Sequence, residues 1–587
     1  MSVMYSLIIK GKYDILDSIL VTIPKTIPRT QKTYIFLRNL IFTRTFFIEE
    51  RKAMRTCGVL LPVSSLPSEY GIGCFDEEAY GFVDKLKEAG QKYWQVLPFG
   101  HTSYGDSPYQ SFSTFAGNPY FVSLKEFVKK GYITEEDCKN AEMEGNPEYV
   151  DYERVYNGRY KVLKKAYLNS DIREDKEYQR FVSDNADWLT DYALFMAVKD
   201  ANDGKSFIEW ENDIKFRRPE AIKTYLEKYK EEVEFYSFIQ FEFFKQWEAL
   251  KAYANKNGID IIGDIPIYVA YDSADVWTHP ELFRLDEKLV PVKVAGCPPD
   301  AFSEDGQLWG NPLYKWDYHK KTGYKWWKDR IAACNKLYDM VRIDHFRGFD
   351  EYYAIPFGDE TARYGSWEQG PGIDLFNELN KEFGEMNIIA EDLGFLTDTV
   401  RKLLKDTAYP GMKVLQFAFY EDSESEYLPY NYVENCVVYT GTHDNDTVAG
   451  WYGDLDKAAK AFTKRYLMLD DDSKICAAMI TAAMGSVAKH CIIPIQDYLG
   501  LGSEARVNIP STVGNNWKWR MSKKAFDKKL VKKLAELAKL YGRYNPLKAA
   551  EEAKAAEEAK AVEKAKAAEN KSKDKTKERS SCAKKQG

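Results

Sequence analysis

Short, strongly apolar runs recur along the chain. They are GVLLPV (58–63), KYWQVLPF (92–99), IDIIGDIPIYV (259–269), MVRIDHF (340–346), NIIAEDLG (387–394), KVLQFAF (413–419), CVVYTGTHD (436–444) and CIIPIQDYLG (491–500). Most are continuous rather than alternating in hydrophobicity, the pattern of strands buried on both faces. The stretches between them carry helical signals. Asp76 stands where it can cap a helix that Gly90 would end, and from Thr397 to Asp406 the period puts Val400, Leu403 and Leu404 on one face. Eight strands alternating with helices predict an α/β fold, a (β/α)8 TIM barrel.

The spacing is uneven. The second run ends at residue 99 and the third begins at 259; the third ends at 269 and the fourth begins at 340. These gaps predict a mostly helical insertion over 100–255 and a loop or subdomain over 270–335 that covers the barrel mouth. After the eighth run only a short helical stretch precedes the tail, which leaves no room for a C-terminal β-sandwich domain. The barrel is expected over 54–545.

Both ends differ from this body. Residues 1–53 are basic and rich in β-branched and aromatic residues without a clear period. They read as an upstream extension from a misassigned start, the other reading being a targeting or membrane-surface segment. Lys10, Lys12, Asp14 and Asp17 interrupt the apolar region a signal peptide needs. Residues 546–587 form an Ala/Glu/Lys-rich tail. KAAEEAKAAEEAKAVEKAKAAE (548–569) predicts a solvated helix with no greasy face, followed by a polar, disordered end.

Composition narrows the function class. The chain has 587 residues, 44% hydrophobic and 29% charged, with a net charge of −7 and a pI near 5.7, which argues against a dedicated nucleic-acid binder. Aromatics make up 15%; such rings suit carbohydrate stacking, or simply an aromatic-rich core. The 9 Cys include no CxxC pair and read as reduced thiols of a cytoplasmic protein. With no HExxH pair and no apolar run of about 18 residues, no metal, no cofactor and no membrane span are expected. The oligomeric expectation is a monomer or weak homo-oligomer.

The chemistry sits at the strand ends, where barrels of this kind keep their catalytic groups. Within MVRID, alternation sends Val341 and Ile343 toward the helices and turns Arg342 and Asp344 inward. Arg342 can then hydrogen-bond Asp344 and orient it. NIIAEDLG delivers Glu391 and Asp392, THD delivers His443 and Asp444, and Asp264 closes IIGD. Any one of these carboxylates could be only an N-cap for the next helix. A magnesium site is a further alternative, but no P-loop or GxGxxG accompanies it. Paired carboxylates without a metal suggest cleavage of a glycosidic bond, one acting as nucleophile and the other as proton donor.

Long stretches identify a family. GVLLPVSSLPSEYGIG, YGDSPYQSFSTFAGNPY (104–120), GDIPIYVAYDSADVW (263–277), VAGCPPDAFSEDGQLWGNPLY (294–314), VRIDHFRG, IIAEDLG and YTGTHDNDT strongly resemble the amylomaltases, the 4-α-glucanotransferases or disproportionating enzymes of glycoside hydrolase family 77. The resemblance spans the predicted barrel and neither terminal extension. It implies that Asp344 is the nucleophile, Glu391 the general acid/base and Asp444 the third carboxylate. It implies that Arg342, His443 and Asp264 support the sugar in the bond-cleaving subsite. Tyr104 and Asp106 resemble the loop beside the donor sugar, and Phe302 and Trp309 the aromatic loop over the cleft. Paired Trp326 and Trp327 read as helix packing instead. The implied reaction moves a segment of an α-1,4-glucan to the 4-hydroxyl of glucose or another glucan through a covalent glycosyl-Asp. Its partners would be α-1,4-glucans, maltooligosaccharides and glucose. The alternatives are a retaining α-glucan hydrolase and a non-catalytic glucan-binding barrel.

Overall fold

A computed structural model describes residues 55–558 apart from 104, 300–302, 395 and 421–423. The extension over 1–53, Tyr104, Phe302 and the tail beyond 558 lie outside the described residues. In chain order the strands are β1 (Thr56–Leu60), β2 (Tyr93–Gln95), β3 (Asp260–Pro266), β4 (Lys293–Cys297), β5 (Gln307–Pro312), β6 (Met340–Asp344), β7 (Glu351–Pro356), β8 (Ser366–Gln369), β9 (Ile388–Ala390), β10 (Gly411–Val414), β11 (Cys436–Tyr439) and β12 (His490–Pro494). Eight of them form one parallel sheet in the order β10-β11-β12-β1-β2-β3-β6-β9. Each overlaps one of the eight apolar runs, although β10 shares only residues 413 and 414 with its run, whose remainder, Leu415–Phe419, is a 3-10 turn. The sheet closes on itself where the Ala390 N–H donates to the Pro410 carbonyl at 3.0 Å.

The helices explain the spacing. Helix α1 (Glu77–Glu88) starts where Asp76 accepts from the Glu78 N–H, and the chain turns at Gly90 with φ of +67°. Between β2 and β3 the insertion is helical, dominated by α2 (Tyr152–Leu168), α3 (Leu189–Ala201) and α4 (Lys230–Lys256). Helix α5 (Lys325–Leu337) leads into β6 and buries Trp326 and Trp327. Its exit packs Tyr338 against Gly263, where any Cβ would fall 2.2 Å from the ring. Helix α6 (Asp398–Thr407) is capped by Thr397 and buries Val400 and Leu403. Helices α7 (Ile475–Gly485) and α8 (Lys528–Leu540) follow. No strand follows β12 among the described residues, and none of their helices is long and apolar enough to cross a membrane.

The remaining strands make a second sheet, antiparallel, in the order β5-β4-β7-β8. Half of it comes from the expected segment between β3 and β6. The other half, β7 and β8, comes from the connection after β6, a third excursion that the gap lengths did not reveal.

Inside the barrel, Leu60, Tyr93, Ile262, Ile389, Met412, Val437, Tyr439 and Ile492 form an apolar plug. Every barrel strand except β6 contributes to it. β6 packs Met340 against its base and places Arg342 higher, with Nε 3.3 Å from the Met412 sulfur. Val341 and Ile343 join the outer core beneath the helices. The predicted alternation therefore holds, and it commits β6 to burying a guanidinium.

Candidate active site

A buried guanidinium needs counter-charge, and the sheet register supplies it. Asp264 on β3 lies directly beside Arg342 on β6. Arg342 Nη1 donates to both Asp264 oxygens, at 2.7 and 2.9 Å. Its Nη2 reaches up to Asp344 Oδ1 at 2.9 Å. One planar fork thus joins a fully buried carboxylate to one at the rim. Burial raises the Asp344 carboxyl above its usual range and the Arg342 charge opposes that. Asp264 has the same two influences and also accepts from the Tyr109 hydroxyl at 3.0 Å. Burial, then the Asp264 charge, keeps that phenol protonated.

Glu391 follows β9. Its backbone extends the ladder, with its N–H donating to Ile343 and its carbonyl accepting from Phe346. Its carboxylate accepts the His345 and Leu393 N–H groups, each at 2.8 Å. His345 has a φ of +54°, a left-handed turn that aims its amide at Glu391. Burial, and next the Asp344 charge, push the Glu391 carboxyl up to about 7. That is the environment of a group that must hold a proton near neutral pH and then give it up.

Asp444 stands on the turn after β11. Its N–H donates to Thr442 Oγ1 at 3.3 Å, and the Thr442 N–H and hydroxyl both donate to Asn445. Asn508 Nδ2 donates to Asp444 Oδ1 at 2.6 Å. His443 Nε2 lies 3.3 Å from Asp444 Oδ2, a close contact without hydrogen-bond alignment. The imidazole stacks on Tyr109 with centroids 5.2 Å apart. Burial lowers its pKa, so it presents a neutral ring.

These groups open into one cleft of about 670 Å3, lined by Asp344, Glu391 and Asp444 together with Arg342, His443 and Trp309. The antiparallel sheet covers one flank through Gln307 and Trp309 on β5 and Trp367 on β8. The Trp309 ring stands edge-on to His345 at 4.8 Å.

Of the expected site residues, the barrel brings together Asp264, Arg342, Asp344, Glu391, His443, Asp444 and Trp309. Asp106 does not line the cleft; it lines an adjoining cavity of about 30 Å3 with Asn118, Tyr120, Tyr152 and Trp517, the last of which also lines the cleft. Asp392 also leaves the expected cluster: its Oδ1 accepts the Met412 N–H at 2.6 Å, bridging β9 to β10. Sequence reasoning assigned no role to Tyr109, His345 or Asn508. Tyr109 lies within the recognised GDSPYQ stretch and His345 adjoins Asp344, so both carried a signal. Asn508 carried none.

Comparison with known proteins agrees with this geometry. Residues 61–526 match the glycoside hydrolase 77 family model, 4-alpha-glucanotransferase. A 4-alpha-glucanotransferase of Clostridium butyricum is 50% identical over 485 residues, covering 82% of this chain and 99% of the relative. One from Aquifex aeolicus is 46% identical over 494 residues, covering 84% and 100%. The amylomaltase from Streptococcus agalactiae, solved in complex with acarbose, superposes with a TM-score of 0.81 at 42% identity and covers 84% of this chain and 100% of its own. With its barrel, its strand-end carboxylates and these relatives, the chain belongs to glycoside hydrolase family 77, the 4-α-glucanotransferases.

Proposed function

We propose that this 4-α-glucanotransferase works by retaining double displacement, with Asp344 as nucleophile, Glu391 as acid/base and Asp444 as the third carboxylate. Asp344 attacks the anomeric carbon of the donor while Glu391 passes its proton to the departing 4-oxygen, leaving a glycosyl-Asp344 ester. The acceptor 4-hydroxyl then gives its proton to Glu391 and attacks the same carbon, and Asp344 leaves. Two inversions retain the configuration. Asp444 accepts sugar hydroxyls beside the developing oxocarbenium charge. Arg342 fixes the attacking oxygen, Asp264 holds Arg342 in turn, and the Tyr109 hydroxyl donates to Asp264.

The observation that carries this reading is the pair of environments. Burial raises both carboxyls, but the Arg342 guanidinium opposes the rise at Asp344, whereas the Asp344 charge adds to it at Glu391, which reaches about 7. A carboxyl facing a cation and a second one facing an anion are suited to the nucleophile and the proton donor of the two half-reactions. Transfer prevails over hydrolysis where the acceptor is held and water is displaced, and Trp309 and Trp367 on the covering sheet supply apolar surface for a sugar face. No disulfide joins the described thiols, most of which are buried, which suits work in the reducing cytoplasm.

The test is a time course with maltotriose. Glucose appearing together with maltopentaose and longer dextrins, at constant reducing ends, is the expected result. Glucose and maltose alone, with new reducing ends, would replace transfer by hydrolysis.

A further inference from the structure

We infer that Asn508 is a positioning residue for the transfer reaction, acting through Asp444, and that Arg506 locks it there. This deepens the reading above and rests on its assignment of Asp444.

The segment between β12 and α8 returns across the barrel mouth and grips the His443–Asp444 turn at several points. The Asn508 N–H donates to the His443 carbonyl at 3.1 Å. The Asn508 amide donates to Asp444 Oδ1 at 2.6 Å. Arg506 Nη2 donates to the Asp444 carbonyl at 2.9 Å, and its Nε to the Asn508 carbonyl at 2.8 Å. The Trp517 N–H then closes the segment onto the Val507 carbonyl at 2.7 Å. Asn508 is only 9% exposed, so water does not readily replace its amide.

The third carboxylate needs this help. Asp344 is held by a guanidinium and Glu391 by two backbone amides. Among the described residues, Asn508 is the side chain that donates a hydrogen bond to the Asp444 carboxylate, because His443 approaches without alignment. A carboxylate on a short turn rotates about χ1 and χ2 unless one oxygen is tied. Tying Oδ1 fixes the plane and leaves the remaining lone pairs for sugar hydroxyls. A neutral amide does so without adding charge beside Asp344 and Asp444, which a carboxylate at 508 would do.

The experiment is a double-mutant cycle on the full chain, read by fluoride release from an α-maltosyl fluoride donor, which remains a substrate for weakened variants. Asn508→Leu keeps the branched shape and removes the donor; it is expected to lower kcat/KM by about 10- to 100-fold, mainly in kcat. Asn508→Asp is expected to lower it further by facing Asp444 with a like charge. In an Asp444→Ala background, Asn508→Leu is expected to cost less than 2-fold, since roughly the whole effect passes through Asp444. Asn508→Gln, whose amide can reach the same oxygen, is expected to recover part of the rate. An undiminished loss in the Asp444→Ala background would overturn the inference and make Asn508 a direct sugar contact. A lowered melting temperature with normal kcat would overturn it in favour of a purely structural role. If the wild-type chain itself released no fluoride, the fault would lie with the proposed reaction and not with Asn508.

Discussion

Arg342 and Asp264 are direct neighbours across β3 and β6, and one guanidinium nitrogen donates to both oxygens of the carboxylate. Both side chains are buried, at 3% and 0% exposure. The second guanidinium nitrogen is thereby aimed at Asp344. Removing the charge strands Asp264 in the barrel interior. Arg342→Ala is therefore expected to destabilise the fold by about 3–5 kcal/mol, measured by denaturant unfolding. Arg342→Lys keeps the charge but cannot fork. It is expected to fold while losing roughly 100-fold or more in kcat, because the attacking oxygen is no longer fixed.

Asp344→Asn is expected to lower turnover by about four orders of magnitude or more, with the fold retained. The amide can still meet Arg342 but cannot form the ester. A 2-fluoro-glycosyl fluoride should label the wild-type chain, and peptide mass spectrometry should find the adduct on the peptide carrying Asp344. A label on Glu391 or Asp444 would reassign the nucleophile.

The barrel was legible because its strands are buried on both faces, which writes them as uninterrupted apolar runs. The covering sheet was not. Its strands are as long as the barrel's, but β5 and β8 are largely half-buried or exposed and so leave no apolar run, and β7 begins only seven residues after Asp344. The clustering of Asp344, Glu391 and Asp444 at one cleft was legible because charge at the end of a buried strand is costly without a purpose. Asp392 satisfied the same criterion and went elsewhere: sequence cannot tell an acid facing the mouth from one that accepts a backbone N–H across the barrel seam. Tyr109 and Asn508 escaped assignment because their roles depend on partners 155 and 64 residues away.

Glu391 predicts a pH signature. The attack step needs its protonated form, so kcat/KM should fall as pH rises through about 7, the value to which burial and then Asp344 raise it. The same shift works against stability. A carboxyl raised in the folded state contributes stability below its unfolded pKa and loses that contribution as pH climbs to the folded value. Glu391→Gln should therefore remove nearly all transfer yet stabilise the fold at pH 8 by on the order of 1–3 kcal/mol. Denaturation of both forms at pH 5 and pH 8 measures this. The gain should be smaller at pH 5, where wild-type Glu391 is already protonated.

The C-terminal end predicts where the catalytic body can be cut. Arg543 is fully buried. Its Nε donates to the Met484 carbonyl at 2.8 Å, Nη1 to Thr56 at 3.0 Å and Nη2 to Ser486 at 3.0 Å. It thus satisfies carbonyls at the C-terminal end of α7, where a cation is favoured, and ties them to the start of β1. Asn545 donates to the Gln91 and Gly258 carbonyls at 2.6 and 2.9 Å, joining the segments that enter β2 and β3. Beyond it, residues 546–558 are helical and largely exposed, held by contacts such as Lys87–Glu551 at 3.2 Å and Lys539–Glu552 at 2.9 Å. Exposed pairs of this kind contribute about 0–1 kcal/mol each. A chain ending at 545 is therefore expected to keep its activity and lose at most about 2 kcal/mol. A chain ending at 540 loses Arg543 and Asn545 together, leaves buried carbonyls unpaired and is expected to fail to accumulate as folded protein. The comparison is made by expressing both, measuring unfolding midpoints and assaying maltotriose disproportionation. A large loss of stability in the longer form would mean that the tail helix is part of the catalytic body.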